Sequence, residues 1–177
     1  MLQYHNLFLK PEKCGFEKDH INFLGIHIQG NQVFMEDSKI EKVANWKPPT
    51  DVCGVWEFLG FGGYYCQFIK DYSKIAWPLL DLTKTTTPWH WDAAQNDAFE
   101  CLCQCMCSKP VLCQLDFQKQ FYVSTDASAY SVGTLLSQEG ESFTPSDDGK
   151  PPPKSKLHPV AYYSVTLMPT ERNYDIY

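Results

Sequence analysis

Asp126 stands near the close of a β-like run, Phe121 to Ser128, and the small residues Ala127 and Ser128 follow it. Two readings are open for this carboxylate. Strands often close with Asp or Asn at a turn, which would make it structural. Alternatively it is one half of a catalytic site whose other half must come from elsewhere, and its context has to decide. The second group with possible chemistry is cationic: Lys39, Lys42, Lys47, Lys70 and Lys74 lie among few acids. They suit either phosphate contacts or a solvated helix face. The third group is Cys101, Cys103, Cys105 and Cys107, at alternate positions. On a helix, alternate thiols point roughly 200° apart and do not converge on one tetrahedral ion. On a strand they would share a face, but the CxxC spacing that usually builds a metal site is missing. These thiols are therefore read as reduced, small apolar side chains.

Charge and size narrow the classes. The 177 residues carry a net charge of −6, with 44% hydrophobic and 15% aromatic content, enough to pack one ordinary domain or two small ones. Residues 1–35 balance three lysines against three acids, residues 36–85 set six lysines against seven, and residues 86–177 set six cations against eleven. An acidic chain of this kind argues against indiscriminate nucleic-acid binding, and it places any phosphate contact in the first half. No stretch has the length of a membrane span, and the start, Met1 to Asn6, has neither a basic region nor a long apolar run. A soluble intracellular protein without membrane partners is expected.

Several elements must position these groups. Leu7 to Leu9 reads as a short strand, and Ile21 to Ile28 reads as another that turns at Gly30-Asn31 toward Val33-Phe34. Asp37-Ser38 can cap a helix from about Lys39 with Ile40, Val43 and Ala44 on one face, stopped at Pro48-Pro49. A second helix, opened by Thr50 or Asp51, carries Val55, Phe58 and Leu59, although Gly60, Gly62 and Gly63 weaken it. Ile75 to Leu82 forms the next apolar cluster, and Thr85 to Pro88 reads as an inter-domain boundary. A helix from Asp92 then carries Ala98, Phe99, Leu102 and Met106 and ends before Pro110. Three strands follow, at about 120–126, 132–138 and 159–164. Between the last two lies Glu139 to Leu157, whose polar residues and triple proline read as a mobile loop. Thr170 can cap a final helix beginning at Glu171.

The flanking residues give Asp126 its context. Phe23-Leu24-Gly25, Trp46-Lys47-Pro48, Phe58-Leu59-Gly60 with Tyr64-Tyr65 and Phe68-Ile69, and Ile75 to Leu79 precede it; His158 to Ser164 and Glu171-Arg172-Asn173-Tyr174 follow. In this order and at this spacing, over nearly the whole chain, they resemble the reverse transcriptase of gypsy-type LTR retrotransposons, from the end of the palm into the RNase H domain. The resemblance implies an α+β fold in three parts. Residues 1–35 would be the palm's last β-hairpin, 36–88 a helical thumb and connection, and 89–177 a truncated RNase H-like domain of three antiparallel strands and the start of a helix.

The same resemblance assigns the chemistry. Polymerisation needs a Tyr-x-Asp-Asp turn to hold magnesium ions, and no such turn occurs here. RNase H cleavage needs several carboxylates around two magnesium ions, of which Asp126 would be the first and a metal ligand. The second is expected about six positions after Tyr174, beyond the end of this sequence. Asp175 lies five residues too early, which turns it about 140° from the required face. Phe23, Leu24 and Gly25 would form the primer grip, where a glycine lets the strand approach; the alternative is two core residues and a bulge. Lys39 and Lys42 would lie along the minor groove of an RNA–DNA hybrid or primer–template duplex. Cys66-Gln67 stands where such enzymes often have two arginines, which removes positive charge. The expected function is that of a reverse transcriptase/RNase H polyprotein fragment, limited by itself to nucleic-acid binding, with the rest of the polyprotein as a partner. The rival is a domesticated or decayed, non-catalytic binding protein. The three final strands are expected to leave one apolar face, with Val123, Leu135, Val160 and Tyr162, without its covering helix. Limited proteolysis should cut first within Glu139 to Leu157 and second near Thr85 to Pro88, as mapped by mass spectrometry.

Overall fold

The computed structural model describes residues 2–10, 12, 14–128, 131–140, 152–168 and 170–173. Three strands, β1 (His20–Phe23), β2 (Ile26–Gln29) and β3 (Gln32–Met35), run antiparallel in a meander. The expected turn at Gly30-Asn31 joins β2 to β3. The single strand expected over Ile21 to Ile28, however, is broken at its middle. Leu24 (φ 51°) and Gly25 (φ 79°) both adopt the left-handed region, the pattern of a two-residue hairpin turn that follows the twist of the flanking strands. Alternation alone conceals such a turn, because a reversal after Phe23 keeps apolar residues on both arms. A fourth strand, β4 (Leu112–Cys113), adds to the free edge of β3. Leu7 to Leu9, expected as a strand, is irregular and its side chains are exposed; β propensity without a partner edge does not make a strand.

Four helices follow the meander. α1 (Asp37–Ala44) begins two residues earlier than expected and without a side-chain cap. α2 (Val52–Tyr64) is capped by Asp51, whose carboxylate accepts the Gly54 N–H at 2.7 Å. Its three glycines are offset by tertiary burial, since Val55 and Phe58 have no exposed surface. α3 (Tyr72–Leu82) contains Pro78, which forfeits the bond to the Lys74 carbonyl, yet buried Ala76, Leu79 and Leu82 hold it in place. α4 (Ala93–Cys107) opens with a reciprocal cap between Asp92 and Gln95.

One hydrophobic core runs through all four helices, from Met35, Val43 and Phe58 to Leu79, Phe99, Leu102 and Met106. It therefore crosses Thr85 to Pro88. α4 packs on α1 and α3, so the helix expected to open the RNase H-like part shares its core with the preceding helices.

The last sheet is β5 (Phe121–Ala127), β6 (Ser131–Glu139) and β7 (Leu157–Thr166), in the order β5-β6-β7 and antiparallel throughout. Val123 pairs with Leu136 while Leu135 pairs with Ser124 and Tyr162. Val123 thus faces opposite to Leu135 and Tyr162, which corrects the single apolar face expected from sequence. A one-residue difference in register exchanges the two faces of a strand, and sequence alone does not fix it. The face with Leu135, Tyr162 and Ser164 turns toward the helices, and a bulge beside Ser137 helps bury Val160. The outer face carries Val123, Tyr163 and Val165, exposed by 62%, 64% and 44%. Of the expected loop, residues 141–151 lie outside the described residues; Gly140 N–H donates to the Lys156 carbonyl at 3.3 Å across its base. Beyond β7 a short 3-10 turn, Glu171–Asn173, stands where a helix was expected to begin, and residues 174–177, with Asp175, lie outside the described residues.

The cysteine series lies on α4. Cys103, Cys105 and Cys107 pack partly buried against the core, and burial pushes the Cys103 thiol up to about 12. Such a thiol keeps its proton in the native state while the unfolded one ionises above 9, so its share of stability is present below pH 9 and lost as pH rises toward 12. In native protein at pH 8, exposed Cys53 should react with iodoacetamide well before Cys103. Peptide mapping over time checks the order.

Candidate nucleic-acid interface and the Asp126 site

The hairpin tip and α1 form the first site. Phe23 and Leu24 project from the tip, 58% and 70% exposed, so the alternative reading of both as core side chains does not hold. Gly25 lies against the helices: a Cβ there would meet the Tyr65 hydroxyl at 2.5 Å and Lys39 Cε at 3.4 Å. Lys39 therefore adjoins the tip. Lys42, one turn further along α1, holds its ammonium over the rings of Trp46 (4.9 Å) and Phe61 (5.6 Å), an arrangement that keeps the charge at the surface. At the start of α1, Lys109 pairs with Asp37 at 2.7 Å. That hydrogen bond and the ammonium's charge hold the Asp37 carboxyl below its ordinary value. Lys39 and Lys42, by contrast, make no ion pair among the described residues.

Asp126 lies on a different surface. It is exposed on β5, on the sheet face that turns toward the helices, and its register partner is Gly133. Asp71, immediately before α3, adopts a left-handed φ of 56° and does not cap the helix with its side chain. Its carboxylate instead lies over Gly133, where a Cβ would meet Oδ1 at 2.7 Å. Asp71, Lys70 and Asp126 line one cavity of about 530 Å³ with Ser124 and Tyr162. A seam of hydrogen bonds fixes this approach. Ser73 N–H donates to Ser164 Oγ at 2.9 Å, and Ser73 Oγ donates to the Ser164 carbonyl at 2.8 Å.

Sequence reasoning named Asp126 but not Asp71, which the structure places in the same cavity. No local signal marks Asp71, because its proximity arises only from docking the sheet on α3. Two carboxylates and a lysine are not the donor set that two divalent ions need. Among the described residues no group of three or more His, Cys, Asp or Glu converges. The residues present thus do not fit a two-metal site, and no cleavage step is derived from them.

Residues 91–146 match the RNase H-like domain found in reverse transcriptase. The chain is also 34% identical over 175 residues to the transposon Tf2-3 and Tf2-4 polyproteins of Schizosaccharomyces pombe (strain 972 / ATCC 24843). It is homologous to the reverse transcriptase/RNase H region of a retrotransposon polyprotein. That alignment takes in 99% of this chain and 12% of the polyprotein, so the chain spans about an eighth of its relatives' length. In fold it is similar to a foamy viral protease-reverse transcriptase solved in complex with an RNA/DNA hybrid, with a TM-score of 0.72 and 20% identity over 92% of this chain and 20% of that one. The same viral protein solved with dsDNA gives a TM-score of 0.70 and 19% identity, over 89% and 30% of the two chains. No helix among the described residues is long and apolar enough to cross a membrane.

The Asp71–Gly133 contact is testable. Gly133→Ala should destabilise the chain by no more than about 1 kcal/mol in urea unfolding, because the crowded carboxylate is a side-chain end that can turn aside. In an Asp71→Gly background the same change should cost clearly less, because the obstructing side chain is gone.

Proposed function

We propose that this chain is the stretch running from the end of the palm through the thumb into the RNase H-like domain of a gypsy-type LTR retrotransposon reverse transcriptase. Residues 1–35, 36–88 and 89–177 are its three parts, and it holds an RNA–DNA hybrid or primer–template duplex. The observation that carries this reading is the hairpin tip. Phe23, Leu24 and Gly25 present an exposed turn beside Lys39, with Lys42 one helical turn away, on a chain whose net charge otherwise repels phosphate. The backbone at Gly25 has no Cβ on its surface, and the two ammonium groups neutralise strand phosphates. Such contacts follow the duplex by shape and carry little base specificity. The foamy viral relatives in fold were solved with a hybrid and with dsDNA, which supports a duplex as ligand.

Asp126 is, in this reading, the first RNase H carboxylate and a magnesium ligand of the assembled enzyme, with the remainder of the polyprotein supplying the other carboxylates. An intracellular place of action without a membrane partner accords with it. Cys66 and Gln67, where two arginines are common, favour a second reading in which a domesticated or decayed product binds without catalysis. The two differ in whether a longer polyprotein containing these residues cleaves a hybrid in a manner that depends on Asp126.

Fluorescence anisotropy with a labelled hybrid at low salt tests the interface. The double substitution Lys39→Glu and Lys42→Glu should weaken binding by on the order of tenfold or more, equivalent to about 1.4 kcal/mol or more. It should also reduce the salt-dependence slope by roughly 2. With magnesium or manganese the 177-residue chain should leave the hybrid uncut. Cleavage that disappears on Asp126→Asn would overturn the incomplete-site reading.

A further inference from the structure

The tip of the β1–β2 hairpin has little apolar burial to hold it. Phe23 and Leu24 are mostly exposed, and Leu24 occupies a left-handed φ that costs a residue with a Cβ roughly 1 kcal/mol or more. Polar contacts from far along the chain hold the turn. Tyr64 donates its hydroxyl to the Leu24 carbonyl at 2.6 Å, and Tyr65 donates to the Gly25 carbonyl at 3.2 Å. The Gly25 carbonyl also accepts the Glu36 N–H at 3.1 Å. Tyr65 is 2% exposed, wedged between Phe61 and Phe68 at ring distances of 5.2 and 6.2 Å, and Tyr64 meets it edge-on at 4.9 Å. The buried ring fixes where its hydroxyl sits. Burial also holds the Tyr65 phenol above its ordinary value.

We infer that Tyr64 and Tyr65 are positioning residues for the duplex-holding hairpin: their adjacent hydroxyls at the end of α2 fix the Leu24 and Gly25 carbonyls, and so present the tip beside Lys39. The inference rests on the proposed duplex interface. It makes the register between tip and helical part a property of two phenols rather than of the hairpin itself. Gly25 is part of the same device, because a Cβ at 2.5 Å from the Tyr65 oxygen would push the hydroxyl off its acceptor.

The test is the Tyr64→Phe, Tyr65→Phe double variant of the full chain, which keeps both rings and removes only the hydroxyls. Amide exchange at Glu36 should accelerate by about tenfold or more, since its acceptor is released. Affinity for a hybrid primer–template should fall by on the order of fivefold, while the thermal midpoint shifts by only a few degrees, roughly the effect of lost hydrogen bonds. Gly25→Ala should weaken binding similarly, and adding Tyr65→Phe should restore part of the loss. Unchanged binding in the double Phe variant, where Lys39→Glu does weaken it, would overturn the inference and leave the interface reading standing. Unchanged binding in both variants would overturn the interface reading and the inference with it.

Discussion

The packing of Phe58 is the constraint on which the rest of the structure depends. Its ring has no exposed surface and lies 5.5 Å from Trp46, beyond the end of α1, and 4.7 Å from Phe99 on α4. It thereby ties together segments more than 40 residues apart in sequence. A buried aromatic of this kind contributes on the order of 3–5 kcal/mol, a large share of the 5–15 kcal/mol typical of a domain. The glycine-rich α2 has little intrinsic stability, so this contact also accounts for α2 being a helix.

Both candidate sites are built outward from that core. At one end, α2 terminates in the two tyrosines that hold the hairpin tip against Lys39. From the same end, the short turn after α2 leads through Phe68 and Ile69, both buried, to Asp71 and the start of α3. The second sheet meets the helices there, through Tyr162 and the serine pair Ser73 and Ser164. The hairpin and the Asp126 cavity are thus fixed relative to each other by one helical body. The proposed duplex interface draws on the same rigidity, because groups hold a ligand in one register only when their spacing is constant.

Several element boundaries around the candidate sites were legible in sequence because they depend on local chemistry. Asp51 and Asp92 announce their helices by capping, and the small residues after Asp126 announce the end of a strand. The turn at Leu24-Gly25 was hidden, since Leu24 in a left-handed conformation is not a residue that sequence rules favour there. Asp71 was hidden for a different reason. Nothing between Lys70 and Tyr72 distinguishes it from a solvated acid until β6 places Gly133 beneath it.

Local sequence signals set the starts of α1, α2 and α4, the strands of the second sheet, the surface lysines and the ordered series of motifs shared with retrotransposon polyproteins. These follow from spacing, capping and residue type, which act over a few positions. Tertiary structure alone decided which sheet face meets the helices, that α4 joins the core of α1 to α3, and that Asp71 and the tyrosine hydroxyls reach partners many residues away. Each of these is a matter of register and docking, in which one residue of slip reverses a strand's faces, and only the simultaneous packing of distant segments selects the outcome.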